Sequence, residues 1–134
     1  MDFEKQFAEA KMFDPRDLNG GYRVKMCSGS PIMVYFINLL GDCKIFRHRN
    51  DIVSGNNILG GLIRWGHFTV GKARCPVSGL EVVEISYNLG KNLFSRSIRD
   101  HIREMASGEY IGKFNLERKD GSLFLAGYFT LKKI

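Results

Sequence analysis

Asp120-Gly121, set between two apolar runs, constrains this chain more than any other dipeptide in it. Asp-Gly in that setting is the strongest short-range hairpin signal, because both residues tolerate the positive φ of a type I′ turn. A hairpin is therefore expected over 109–132. Its first strand puts Tyr110, Gly112, Phe114 and Leu116 in one row; its second puts Leu123, Leu125, Gly127, Phe129 and Leu131 in another. Gly112 and Gly127 interrupt otherwise strong strands, as happens where barrels bend or where a backbone or ligand approaches closely. Upstream, the strand at 80–88 gathers Val83, Ile85 and Tyr87 on one face and Glu84, Ser86 and Asn88 on the other.

Between these strands the spacing predicts a short helix over 96–107. Ser97 and Asp100 fit a capping box, Ile98, Ile102 and Met105 make an i, i+4, i+7 stripe, and Gly108 suits a left-handed C-cap. A second helix is predicted over 1–18, with Phe3, Phe7 and Ala10 on one side and an end near Asp14-Pro15. It could plug a barrel end or lie along its wall.

The middle of the chain reads as further strands. Tyr22, Val24 and Met26 alternate with Arg23, Lys25 and Cys27, and Lys44, Phe46 and His48 alternate with Cys43, Ile45 and Arg47. Arg49-Asn50-Asp51 begins a turn-rich loop continuing through Asn57. In 62–71, Ile63, Trp65, His67 and Thr69 share a face. Segment 31–40 reads as a short helix or an irregular lid, and Pro76-Val77-Ser78-Gly79 as a turn. Short strands with regular turn signals point to a sandwich or small barrel. With 134 residues, one domain covering 1–134 is expected.

The net charge of +6 is uneven. Residues 1–20 carry five acids against three bases, residues 21–75 two against eight, and residues 76–134 seven against nine. Such a basic middle favours acidic partners. Cys27, Cys43 and Cys75 have neither a zinc nor a disulfide spacing, so reduced thiols in the cytoplasm are expected. The start Met1-Asp2-Phe3-Glu4 lacks the marks of a secretory signal, and the longest apolar run, 31–40, is too short to span a bilayer.

The order of elements resembles the calycin (lipocalin-like) barrels: a helix, a glycine-led first strand at Gly21-Tyr22-Arg23, successive antiparallel strands, and a helix before a final hairpin. Gly21-Tyr22-Arg23 occupies the place of that group's Gly-x-Trp, without the tryptophan. Asn57 to Gly60, Trp65-Gly66-x-Phe68, Ile98-Arg99-Asp100-x-x-Arg103-Glu104, Tyr110 to Lys113 and Gly127-Tyr128-Phe129 resemble small bacterial proteins without an established activity. The resemblance implies a mainly β fold, a small antiparallel lipocalin-like β-barrel. It implies no chemistry, and function must be argued from a site.

Three constellations are candidates. Trp65 and His67, with Tyr87, Tyr110, Phe114 and Tyr128, could line a pocket for a small hydrophobic or amphiphilic molecule, or could equally form a filled aromatic core. Arg23 and Arg47, among other bases, could hold an anionic ligand group at the barrel mouth. Basic strands with interleaved aromatics leave a weak nucleic-acid-binding module as the third reading, although no RNP-like signature is present. An isomerase- or cyclase-type enzyme is the alternative, with His67 or Glu84 as general base. His48, His67 and His101 have no metal spacing, and no motif specifies a cofactor, leaving a histidine-held haem as a remote option. Neither oligomeric state nor the inward face of each strand is legible.

Overall fold

The computed structural model describes residues 2–76 and 78–134; Val77, in the turn expected at 76–79, lies outside the described residues. Eight antiparallel strands close into a barrel in chain order. They are β1 (Gly20–Met26), β2 (Asp42–Arg49), β3 (Ile52–Leu59), β4 (Ile63–Arg74), β5 (Glu81–Ser86), β6 (Ile98–Ala106), β7 (Glu109–Glu117) and β8 (Leu123–Lys133). Closure is made by β1 on β8, with Val24 opposite Leu131 and Met26 opposite Phe129. The pleat turns Tyr22, Val24, Phe46, Ile85, Ile102 and Phe129 into one interior cluster.

The helix expected over 96–107 is instead β6. A spacing of four is one helical turn but also two strand periods, so Ile98 and Ile102 satisfy both patterns. Strand geometry wins because β5 and β7 both need a partner: Ile102 pairs with Val83 on one side and Gly112 on the other. Met105, the third residue of the supposed stripe, is exposed. Gly108 does take a positive φ of 75°, but in the β6–β7 turn.

The last hairpin is present with a different turn. Only Gly121 has a positive φ, at 86°. Its N–H donates to the Arg118 carbonyl, and the Asp120 carboxylate accepts from Ser122 N–H at 2.9 Å. The type I′ pattern occurs instead at Asn50-Asp51, where both φ values are positive and Arg49 pairs with Ile52. The loop expected through Asn57 is therefore a two-residue turn followed by β3. Gly112 and Gly127 sit where close approach demands glycine: a Cβ at either would collide with the Phe129 ring or the Ser28 carbonyl, respectively.

The two ends of the barrel are closed differently. At the end holding the β2–β3 turn, Phe13 and Leu18 join the interior cluster as a plug. The helix expected over 1–18 is an α-helix only at Phe3–Glu9 (α1), followed by the Lys11–Glu104 bridge and a 3₁₀ turn at Pro15–Asp17. α1 lies along the wall, where Phe7 and Ala10 pack with Val82, Ile111 and Tyr128. At the opposite end, Pro31–Leu40 forms helix α2, which has no buried residue. Its attachment includes Asn38, whose amide donates to the Met26 carbonyl and accepts from the Met26 N–H, both at 2.9 Å.

A bulge in β4 decides which side chains meet. Pairing shifts between Gly55–Phe68 and Asn57–Trp65, and Gly66 in between has a φ of 59°. Trp65 and Phe68 therefore both pack against the interior. A Cβ on Gly66 would lie 2.7 Å from Tyr87 Cε2 and 2.8 Å from Asn57 Nδ2. Gly66→Ala should cost more than about 2 kcal/mol, combining left-handed strain with overpacking. Gly61→Ala, with equally positive φ but open space around it, should cost about 1 kcal/mol or less. Urea denaturation of the two variants measures the difference.

Candidate functional site

Under α2 the barrel interior becomes polar. On the inward face of β2, Asp42 and Lys44 precede Phe46, and all three are buried. On β6, the inward residue between Ile98 and Ile102 is Asp100, also buried. Lys44 Nζ lies 3.2 Å from Asp100 Oδ2 and donates to Asn57 Oδ1 at 3.0 Å and to the Tyr87 hydroxyl. Asn57 in turn donates to the Tyr87 hydroxyl at 2.8 Å and to the Gly66 carbonyl at 3.3 Å. Lys44 also sits 5.1 Å from the Tyr87 ring centre and 5.7 Å from that of Phe129, close enough for attraction between cation and ring.

Burying a lysine is costly unless its charge is matched. Here Asp100, Asp42 and the Tyr87 oxygen overcome desolvation and hold Lys44 protonated, above its ordinary range. Burial pushes the Asp42 carboxyl up to about 6, against the pull of Lys44 and of the Trp65 indole N–H, which donates to Asp42 Oδ1 at 3.3 Å. Burial likewise raises Asp100, opposed by Lys44. Asp100 Oδ1 is buried and has no hydrogen-bond partner among the described residues.

These groups form part of the wall of a cavity of about 30 Å³; Val24, Met26, Ile37 of α2, Ile98, Phe114 and Phe129 supply most of the rest. That volume holds a water or two, since one needs roughly 10–15 Å³ by the same measure. The barrel is thus mostly filled, and the remaining space is largely apolar, with charges entering it from β2 and from β6 across the barrel.

The residues singled out from sequence divide between inside and outside. Trp65, Tyr87 and Phe114 border the cavity. Tyr110 is interior but belongs to the opposite end, packed on Phe13 at 4.6 Å and on Tyr22. Tyr128 faces outward beneath α1, stacked on Phe3 and bonded to Glu4. His67 does not share Trp65's face, because the Gly66 bulge turns it outward; its N–H donates to Asn92 Oδ1. Burial and the nearby Lys91, Arg64 and Arg47 cations hold its imidazole below the usual range. Glu84 bonds the buried His101 at 2.9 Å on the outward side of the sheet, and neither Glu84 nor His67 lines the cavity. Arg23 and Arg47 are exposed on the outer face, Arg47 donating to Asn56 Oδ1 at 2.6 Å.

Asp42, Lys44, Asn57 and Asp100 form the interior polar set, which the sequence reasoning missed. For Lys44 a signal was present, since it alternates in phase with Phe46. Asp100 was hidden by the helical assignment, which made it a cap.

If Lys44 balances Asp100, its removal should leave a buried uncompensated carboxylate. Lys44→Met should cost about 3–5 kcal/mol, and adding Asp100→Leu should restore much of it. Equilibrium denaturation of the two single variants and the pair gives the coupling. Asp42 adds a pH dependence. Its folded value of about 6 lies above the ordinary 3.8, so the folded protein holds this proton more tightly than the unfolded chain. The resulting cost is absent below about pH 4, grows towards pH 6 and then stays constant. Relative to Asp42→Asn, wild type should lose up to about 3 kcal/mol between about pH 4 and pH 7, measured by denaturation across that range.

Comparison of the chain with family models, with curated proteins and with solved structures gives no match, so the site has to be read from its own geometry.

Proposed function

We propose that the barrel binds a small, mostly apolar molecule at the α2 end, with the ligand's polar end against Asp42, Lys44 and Asp100. One observation carries this reading: a charged cluster is buried in an otherwise apolar cavity, under a helix that covers it with Met33, Val34 and Ile37 only partly buried. A purely structural core gains nothing from such a cluster, since a hydrophobic replacement of similar volume is often neutral or stabilising. Ligand sites, by contrast, combine apolar walls with a few placed polar groups. The cavity as it stands is too small for a drug-sized molecule, so binding requires α2 to shift outward and Trp65 or Ile37 to yield. Asn38 is the side chain such a shift must release.

The polar end of the ligand follows from the cluster. An anionic head would have to compete with Asp100 for Lys44, and Arg23 and Arg47, on the outer face, could not help it. A hydroxyl head would give Asp100 Oδ1 the donor it lacks. A medium-chain alcohol therefore fits better than the matching acid. The odd number and wide spacing of Cys27, Cys43 and Cys75 in the sequence support a reducing compartment such as the cytoplasm.

Trp65 is the only tryptophan and reports on this site directly. Titration with a medium-chain alcohol should change its emission in a saturable way, and the acid of equal length should bind about tenfold more weakly, a difference of about 1.4 kcal/mol. Asp100→Asn should narrow that preference. Emission unchanged by either compound, together with no small molecule retained in native mass spectrometry, would sink the proposal.

A further inference from the structure

The chain's exposed apolar side chains are concentrated at one end. In an up-and-down barrel, alternate connections fall at the same end, so α2, the β3–β4 turn, the β5–β6 connection and the β7–β8 turn are neighbours. Among the described residues, eleven of the fourteen large apolar side chains left exposed belong to these segments or the strand residues adjoining them; only Ile52, Met105 and Ile134 do not. α2 presents Ile32, Tyr35, Phe36 and Leu39 to solvent. Leu62 is 90% exposed at the tip of the β3–β4 turn, and Leu93 and Phe94 are 81% and 97% exposed in the β5–β6 connection. Folding leaves these residues uncovered, and a concentration of exposed apolar side chains at one end of a barrel marks an interaction site.

Cations surround it. Leu93 and Phe94 share an outer groove with Arg64, His67 and Lys91, and Arg47 is near enough to act on His67 as well. Arg96 follows in the same connection, and Arg118 and Lys119 flank the β7–β8 turn. Among the described residues, no carboxylate is paired with Arg64, Lys91 or Arg96. Acids at this end are few: Asp42 is buried, Glu117 is engaged with Arg99, and Asp120 bonds its own turn.

We infer that the α2 end docks on an anionic phospholipid surface, with Phe94, Leu93, Leu62 and the exposed face of α2 entering the interface while Arg64, Lys91 and Arg96 meet phosphate and carboxylate headgroups. The charge pattern selects this occupant. Apolar side chains ringed by unpaired cations match a membrane whose interior is apolar and whose headgroup layer is negative. A second copy of the chain would bring like-charged rims together. The barrel stays outside the bilayer, since its outer wall carries charged side chains such as Arg23, Lys25, Lys72 and Arg74. Docking is independent of whether the cavity is occupied, but it would place α2 against lipid.

Vesicle flotation tests this. The full chain should float with vesicles of three parts phosphatidylcholine to one part phosphatidylserine, and about tenfold less with phosphatidylcholine alone. Salt should weaken the difference, because exposed charges are screened. Leu93→Ser with Phe94→Ser should abolish flotation while leaving the melting temperature unchanged, as both side chains are already in water. Arg64→Glu with Lys91→Glu should remove the preference for phosphatidylserine. The inference is overturned if the protein floats with neither vesicle, partitions equally to both, or floats undiminished in the Leu93/Phe94 variant. It is also overturned if sedimentation shows a dimer that this variant splits, which would assign the patch to self-association.

Discussion

Closure of the barrel is the constraint on which the rest of this structure depends. Pairing β1 with β8 leaves no open sheet edge, so every strand is held on both sides. A closed antiparallel sheet has no place for a helix within its wall. Residues 98–106 therefore become strand despite a helical spacing, and their alternate side chains are driven inward. Asp100 enters the interior by that route, as Lys44 does from β2. Their ion pair follows from the register of two strands that are not neighbours.

The interior charges and the two barrel ends belong to one asymmetry. At the plugged end, Phe13, Tyr22 and Tyr110 pack ring on ring and exclude water. At the other end, the interior contains a lysine, two carboxylates, an amide and a phenol, and its cover is a helix whose inner side chains, Met33, Val34 and Ile37, are only partly buried. Buried polar networks are stable only when nearly every member is satisfied. Lys44 and Asn57 both donate to the Tyr87 oxygen and Lys44 donates to Asn57, whereas Asp100 Oδ1 has no partner among the described residues. That unmatched acceptor and the partly exposed α2 lie at the same end, where the candidate ligand site and the exposed apolar side chains also meet.

The outer surface obeys a different rule. The basic middle segment places Arg23, Lys25, Arg47, Arg49 and Arg64 outward, while the aromatic residues of those same strands, Tyr22, Phe46, Trp65 and Phe68, face inward. Single-stranded nucleic acid is held by cations together with aromatic platforms on one surface. The pleat separates the two here. Among the described residues, cations and exposed rings come together only at the α2 end, where Phe94 and Leu93 stand on a loop.

Much of the architecture was legible in the sequence. Alternation in Tyr22 to Met26, Val83 to Tyr87 and Tyr110 to Leu116 determined which side chains share a face, because a strand's period of two is a local property. Gly121 was legible for the same reason, since its positive φ is a demand of its own turn, whereas Gly112 and Gly127 answer the approach of Phe129 and Ser28 from other segments. Three features were not. The helix at 96–107 failed because Ile98 and Ile102 fit two periods and only the needs of β5 and β7 choose between them. The pairing of Trp65 with His67 failed because one bulge residue, Gly66, reverses the alternation beyond it. The interior polar set of Asp42, Lys44, Asn57 and Asp100 was not legible because its members come from β2, β3 and β6, with no local pattern joining them. Local sterics and periodicity are written in neighbouring residues, whereas the meeting of Lys44 with Asp100 is decided only when the sheet closes.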